Sequence, residues 1–211
     1  MAIKDDVKTL KREKILEEAI RLFSLRGFRG TTMEAVAEAL EVTKPYLYGV
    51  YEKKTDILVD IYLRTVQRCL VTVQQALSLP GSPSDRLRWF ARTFTGVVIS
   101  DKAAVAVYFQ EEPSVPEKDR KQINGLKKEF DDLLASLLQQ GIDDGSFVVG
   151  DLRLATLAIG GMMNWIYTWY SPHGRLAPDE IADSMADYAL RVAQADSSRP
   201  TTRRARSSTR T

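Results

Sequence analysis

Apolar residues recur at intervals of three and four along most of the chain, which is the spacing of one face of an α-helix. Near the start, the pattern predicts a helix that carries Ile15 and Phe23 and ends at Gly27. Two short helices follow within residues 31–51. Longer helices are predicted over approximately residues 57–77, 84–98, 101–111, 117–140, 151–171 and 178–195, the second of them starting at Ser84 or Asp85. The nearest approach to a strand, Val148–Val149, is too short for a sheet, so we predict an all-α protein.

Composition excludes several classes of protein. The chain has 211 residues, of which 44% are hydrophobic and 27% are charged, so it is expected to fold around a sizeable core. No apolar run reaches the roughly 18 residues of a membrane helix, and the charged segment Met1–Lys14 does not resemble a secretory signal. One cysteine and one histidine argue against a disulfide framework, a metal site and a histidine-dependent active site. We therefore expect a cytoplasmic protein, with no membrane partner, that is not an enzyme and holds no cofactor.

The formal net charge of +2 has its origin at the end of the chain. Five arginines and no acid follow Asp196, which leaves residues 1–196 with a net charge of −3. Residues 196–211 are low in sequence complexity and are expected to be disordered. Their arginines either add a salt-sensitive attraction to DNA or only make the end of the chain more soluble.

Residues 31–51 have the arrangement of a helix-turn-helix, in which the second helix can enter the major groove of DNA. The turn falls at Glu41–Val42, and the second helix begins at Thr43. Hydroxyls, aromatic rings and lysines lie on this second helix, and such groups contact phosphates and base edges. A pair of helices alone does not identify a DNA-binding protein, because many helical proteins contain one.

The spacing of individual residues adds a family resemblance. The stretch TTMEAVAEALEVTKPYLYGVYEKKTDIL and the helix before it resemble the N-terminal part of the TetR family of bacterial transcriptional regulators. The positions that match the family pattern are Ala19, Phe23, Gly27, Phe28, Thr32, Val36, Ala37, Val42, Thr43, Leu47, Tyr48, Tyr51, Lys54 and Leu58. The chain departs from the pattern at Glu41, Pro45 and Gly49–Val50. Because Glu41 replaces a glycine, we expect strain or a different backbone conformation in the turn.

The resemblance implies a set of DNA contacts on the two short helices and just after them. Tyr48 and Lys54 are expected to position the DNA backbone, and Lys44 and Tyr46 to read base edges. The full set consists of Thr32, Thr43, Lys44, Tyr46, Tyr48 and Lys54. Leu47, Val50 and Tyr51 are expected to pack in the core instead.

Aromatic residues in the second half of the chain can be interpreted in two ways. The segment Gly161–Tyr170 reads GMMNWIYTWY, with Trp165 and Trp169 one helical turn apart. Such a stripe is typical of a core or a subunit interface, but it also lines ligand pockets between helices. Cys69 is expected to be buried and inert, and His173 to lie in a loop.

Residues 108–190 resemble the effector domains of TetR-type regulators that respond to acyl-CoA thioesters. This resemblance implies an interior pocket for the acyl group, with the CoA moiety nearer the surface. Asn164 is expected to donate a hydrogen bond to the thioester carbonyl. The expected ligand contacts are Trp89, Phe94, Tyr108, Glu111, Phe130, Met162, Asn164, Trp165 and Trp169. The cations of residues 118–128 either hold CoA phosphates or form a solvated face.

The two resemblances together imply three parts: a helix-turn-helix DNA-binding domain (1–54), a helical effector-binding and dimerisation domain (55–195) and the arginine-rich tail (196–211). They imply a homodimer that binds a palindromic operator in double-stranded DNA. A small apolar effector, in the first place an acyl-CoA thioester, is expected to release the dimer from the operator. A coupling of ~3 kcal/mol would weaken operator binding by a factor on the order of 150. Two alternatives stay open: a regulator of the same fold that senses a non-CoA hydrophobic compound, and a ligand-binding helical protein that has lost DNA binding.

Overall fold

A computed structural model describes residues 2–194, and it describes side chains from Thr9 onward. The arginine-rich segment 196–211 lies outside the described residues. Within them there are ten α-helices, one short 3₁₀ helix and no strand, which confirms the all-α prediction. The α-helices are α1 (Ala2–Arg26), α2 (Met33–Ala39), α3 (Lys44–Tyr48), α4 (Lys54–Ser78), α5 (Pro83–Ser100), α6 (Lys102–Gln110), α7 (Glu117–Asp143), α8 (Leu152–Asn164), α9 (Ile166–Trp169) and α10 (Pro178–Ala193); the 3₁₀ helix is Glu112–Ser114.

Local hydrogen bonds explain where several helices begin and end. Thr32 caps α2, because its hydroxyl accepts a hydrogen bond from the Ala35 amide at 3.1 Å. The prediction that α5 starts at Ser84 or Asp85 is wrong by one or two residues: Ser82 is the cap and Asp85 completes a capping box with it. The single helix predicted over 151–171 is interrupted at Trp165, whose carbonyl accepts hydrogen bonds from both the amide and the hydroxyl of Thr168.

The buried side chains form two clusters that share α4. The first cluster packs α1, α2 and α3 on the first half of α4, and we call these helices the head. The second cluster packs the rest of α4 with α5 to α10, and we call this part the body. Three body residues, Val107, Val115 and Ile123, belong to the head cluster. The head core therefore continues past residue 54 and is anchored directly on the body.

The turn between α2 and α3 has the unusual conformation expected from its sequence. Glu41 has a φ of +54°, the left-handed region in which a side chain on Cβ is strained. It is the single non-glycine residue with positive φ among the described residues. The turn is nevertheless held by backbone hydrogen bonds, including Val42 N to Ala37 O at 3.0 Å.

We expect Glu41→Gly to raise the free energy of unfolding by about 0.5–1 kcal/mol, because glycine adopts this conformation without a Cβ clash. Urea unfolding followed by circular dichroism measures this change. Glu38→Gly, at an exposed position within α2, is the matched control and should lower the free energy by about 1 kcal/mol. A loss of stability in Glu41→Gly would show that the turn is not strained.

Candidate functional site

The outer surface of α2 and α3 is held in place from beneath by buried apolar residues. Val36 and Leu47 are both 0% exposed and fix the two short helices against the rest of the head. Thr43 and Lys44, at the start of α3, and Tyr48, at its end, are exposed, and Tyr46 is half-buried. The arrangement presents hydroxyl, phenol and ammonium groups on one short helix, and these groups bind phosphates and base edges.

The structure places most, but not all, of the predicted DNA contacts on this surface. Thr32 caps α2, and its side chain remains exposed. Lys44 forms an ion pair with Glu34 at 3.3 Å, with more than half of the lysine side chain exposed, so the pair adds little stability and leaves the ammonium accessible.

Lys54 is the exception, because its ammonium points into the head. The Nζ atom donates hydrogen bonds to the carbonyls of Phe28 and Thr31 at 2.5 and 2.6 Å and lies 4.2 Å from the centre of the Phe28 ring. Burial lowers the pKa of Lys54, and the nearby Glu111 opposes this shift. Lys54 therefore ties the loop between α1 and α2 to α4, and its role as a phosphate contact stays a prediction.

Lys11 is a neighbour of α3 that the sequence reasoning missed. Its Nζ atom lies 4.6 Å from the centre of the Tyr46 ring, within the range of a cation–π interaction. Lys11 therefore brings a positive charge from α1 to the side of the predicted base-reading tyrosine. The basic residues Lys11, Arg12 and Lys14 are the feature of the sequence that could have indicated this neighbour. They were not considered because they lie before the apolar pattern of the first helix begins.

A buried carboxylate joins the segment that follows α3 to α1 and α4. Asp60 of α4, only 6% exposed, accepts hydrogen bonds from Arg12 of α1 at 2.5 Å and from the Tyr51 hydroxyl. Burial raises the pKa of Tyr51, so the phenol stays neutral and donates to Asp60. Tyr51 is 5% exposed, which confirms its predicted place in the core.

The body contains a cavity of about 340 Å³ between α4, α5, α6, α7 and α8. Its lining is mixed in chemistry. The apolar and small residues are Val66, Cys69, Phe94, Val105, Phe109, Phe130, Leu157, Gly160 and Gly161, and the polar and charged residues are Thr65, Tyr108, Glu112, Lys127, Asp131, Thr156 and Asn164. A cavity of this size, with seven polar or charged residues among its sixteen lining residues, suits a small ligand that has both apolar and polar parts.

Four of the nine predicted ligand contacts line this cavity: Phe94, Tyr108, Phe130 and Asn164. The other five predicted contacts lie outside this cavity lining: Trp89, Glu111, Met162, Trp165 and Trp169. Trp89 and Met162 pack against the body core, and Glu111 points to the head. Trp165 and Trp169 are 62% and 47% exposed on the surface. The reason is helical geometry: Leu157, Gly160, Gly161 and Asn164 share the cavity face of the helix, while residues 162 and 165 point elsewhere.

A charged pair lies on the cavity wall. Lys127 binds Glu112 at 3.2 Å, and its Nζ atom lies 5.0 Å from the centre of the Tyr108 ring. Burial acts to lower the pKa of Lys127, but its contacts with Tyr108 and Glu112 outweigh burial and raise it. Burial also raises the pKa of Asp131 on the same wall. The cavity therefore combines an apolar interior with one ammonium group that can meet an anionic or carbonyl group.

Cys69, the only cysteine in the chain, lines the cavity and has a perturbed pKa. Burial and then the charge of Asp101 raise the pKa of the thiol to about 12. Because the thiolate is the reactive form, we expect iodoacetamide to alkylate Cys69 at pH 8 at least about a hundredfold more slowly than in the urea-unfolded chain. The rate should rise about tenfold for each pH unit between 8 and 10. Equal rates in the folded and unfolded chain, measured by mass spectrometry, would contradict this assignment.

A third feature is an exposed apolar surface at the end of the body. Leu154 and Trp165, at the two ends of α8, are 65% and 62% exposed, and Tyr188 of α10 is 48% exposed. Large exposed apolar side chains of this kind are typical of protein–protein contacts. No helix among residues 2–194 is long and apolar enough to cross a bilayer.

Two family models match the chain, one over each part. The model described as bacterial regulatory proteins of the tetR family matches residues 15–61, and the tetracyclin repressor-like C-terminal domain matches residues 80–193. The first match covers the second half of α1, all of α2 and α3, and the beginning of α4. The second covers the helices α5 to α10, which together form most of the cavity.

Individual relatives extend over almost the whole chain. The HTH-type transcriptional repressor KstR2 of Rhodococcus jostii (strain RHA1) is 28% identical over 186 residues, which is 87% of this chain and 91% of that protein. Among solved structures, the TetR family regulator PfmR of Thermus thermophilus is 28% identical, has a TM-score of 0.78, and is matched over 84% of this chain and 97% of its own. AibR, solved in complex with isovaleryl coenzyme A and operator DNA, is 27% identical with a TM-score of 0.75, over 85% and 98% of the two chains.

Proposed function

Because the chain belongs to the TetR family of bacterial transcriptional regulators, we propose that it is a homodimeric repressor released from its operator by an acyl-CoA thioester. Proteins of this family are regulators and not enzymes. They bind operator DNA, and they also bind a small-molecule effector. The observation that carries the proposal is the position of the cavity: α4 forms part of its wall and also supports the DNA-reading helices.

The exposed face of α3 is the proposed reader of the operator. Thr43, Lys44 and Tyr48 are accessible there, and Lys11 and Tyr46 lie beside them. One short helix contacts too few base pairs to select a single genomic site. Two copies related by a two-fold axis would read a palindrome whose half-sites are about 34–36 Å apart.

The exposed apolar surface of α8, α9 and α10 is the proposed contact with the second copy. Leu154, Trp165, Trp169 and Tyr188 are between about half and two-thirds exposed in the single chain. Their burial against the same surface of another copy would remove this apolar area from water and stabilise the dimer.

The acyl group of the effector is proposed to occupy the cavity. Phe94 and Phe130 offer apolar contact, with ring centres 5.4 Å apart. Asn164 and Lys127 are the polar groups suited to the thioester carbonyl and to the polar chain attached to it. A volume of about 340 Å³ is too small for a complete CoA thioester, so the nucleotide end would extend outside. AibR, the relative solved with isovaleryl coenzyme A, supports this class of effector.

A regulator that senses a hydrophobic compound without CoA is the second candidate. The observation in its favour is the charge of the wall: among the described lining residues Lys127 is the single cation, and it is already paired with Glu112. A neutral or weakly polar compound would need no further phosphate contact.

Binding experiments with the full chain distinguish the candidates. Selection from random duplexes at low salt should recover an inverted repeat, and sedimentation should show a dimer. A CoA thioester, but not its free acid, should raise the melting temperature by several degrees at 100 times its Kd. Equal effects of ester and acid would favour the second candidate, and failure to enrich any duplex would exclude the repressor.

A further inference from the structure

Glu111 connects the body to the head through a single carboxylate. It lies at the C-terminal end of α6, and its Oε1 atom accepts a hydrogen bond from the backbone amide of Phe28 at 2.9 Å. Its Oε2 atom accepts a hydrogen bond from the Ser114 hydroxyl at 3.3 Å. One carboxylate oxygen of Glu111 is therefore bound by Ser114 of the 3₁₀ helix in the body. The other is bound by the backbone of Phe28 in the head.

Phe28 transmits this contact to the start of the helix-turn-helix. Its carbonyl accepts a hydrogen bond from Lys54, and its ring packs edge-on against Phe23 with 5.2 Å between ring centres. Lys54 also binds the carbonyl of Thr31, and the next residue, Thr32, caps α2. A displacement of the Phe28 amide therefore disturbs the groups that fix the first turn of α2.

The ligand cavity begins one residue from Glu111. Glu112 lines the cavity and is paired with Lys127, which lines it as well. Tyr108, one turn earlier on α6, is a further wall residue, and its carbonyl accepts a hydrogen bond from Tyr62 of α4. A ligand that separates Lys127 from Glu112, or that displaces Tyr108, therefore acts on residues that lie one turn before Glu111 or directly after it in the chain.

We propose that Glu111 is the positioning residue through which occupancy of the cavity reaches the DNA-reading head, and that occupancy breaks its hydrogen bond to Phe28. The hydrogen bond between Glu111 and Phe28 joins the body to the head, whereas the neighbouring Glu112 lines the cavity. This inference rests on the proposed function for its biological role. The switch itself can be tested without the operator and without the natural effector.

The test uses the full chain with Phe-selective ¹⁵N labelling and follows hydrogen exchange of the Phe28 amide by NMR. A hexyl group is attached to the single cysteine, Cys69, with hexyl methanethiosulfonate at pH 9, which places an apolar chain in the cavity. We expect the modification to accelerate Phe28 exchange about tenfold or more, because a hydrogen bond to a charged acceptor is lost. In Glu111→Ala the exchange should be fast before modification and unchanged after it.

Two lysine variants provide a second arm that needs no chemical modification. Lys127→Met removes the partner of Glu112 and should accelerate Phe28 exchange about threefold, because the pair is partly exposed. Lys128→Met makes the same chemical change on the next residue, which pairs with Asp132 outside the cavity, and should leave the exchange unchanged. Glu111→Gln keeps an acceptor oxygen and should show intermediate exchange.

Unchanged or slower Phe28 exchange after confirmed modification, or equal effects of Lys127→Met and Lys128→Met, would overturn the inference. A purely structural role for Glu111 would make Phe28 exchange fast in Glu111→Ala but would not make it respond to the cavity in the parent chain. Failure of the proposed function would appear instead as the absence of an enriched duplex, with the exchange results unaffected. The two failures are therefore distinguishable.

Discussion

Combined replacement of Lys44 and Tyr48 by alanine is expected to weaken operator binding about a hundredfold and to leave the unfolding midpoint nearly unchanged. Both side chains are exposed on α3, so their loss removes DNA contacts and little packing. Each of the two side chains is expected to contribute about tenfold to affinity, counted over both copies of the dimer, so the loss of both gives about a hundredfold. Fluorescence anisotropy with the selected duplex measures the change.

Lys128→Ala is the control for the change of net charge, because Lys128 lies on α7, away from the head, and pairs with Asp132. It should weaken operator binding less than twofold. An equal loss in Lys128→Ala and in the α3 variant would mean that only the total charge matters. Unchanged binding in the α3 variant would place the DNA contacts on another surface.

Gly141→Ala is expected to lower the free energy of unfolding by about 3 kcal/mol. A Cβ atom at this position would lie 2.0 Å from Cδ2 of Phe147, a ring that is 2% exposed. The ring cannot simply turn away, because the Phe147 amide donates to the Gly141 carbonyl at 2.8 Å and holds the turn closed. Urea unfolding measures the loss, which should be among the largest for a single methyl group in this chain.

Gly125→Ala is the matched control on the same helix. A Cβ atom at Gly125 meets nothing within 4 Å, so alanine should raise the free energy of unfolding by up to about 1 kcal/mol through its helix propensity. Opposite signs for the two variants would confirm that contact with Phe147, and not the loss of glycine, decides the result. A neutral Gly141→Ala would mean that the turn after α7 repacks easily.

The sequence predicted those parts of the fold that depend on neighbouring residues. The apolar spacing is a local property, and the helices that it predicts are present, two of them capped by Thr32 and Asp151. Strain or a different backbone conformation at Glu41 was expected because the TetR family pattern has glycine there, and the structure shows the left-handed conformation. Such features need no knowledge of what packs against them.

The lining of the cavity was harder to predict, because the spacing of apolar residues along a helix does not reveal which side of the helix is covered. Asn164 and Trp165 are adjacent in sequence, yet the first lines the cavity and the second is on the surface. Glu111 and Glu112 differ in the same way, since Glu111 binds the head and Glu112 lines the cavity. Lysine is a residue type that often contacts phosphates. Only the folded structure shows that Lys54 donates hydrogen bonds to the backbone carbonyls of Phe28 and Thr31.

Release of bound operator by an acyl-CoA is the most direct test of the proposed function. A labelled duplex recovered by selection is saturated with the protein, then titrated with isovaleryl-CoA, longer acyl-CoAs and the corresponding free acids. We expect at least one CoA ester to weaken operator binding by about tenfold or more, whereas its free acid has no effect. Operator affinity that is unchanged by every ester that binds the protein would contradict it.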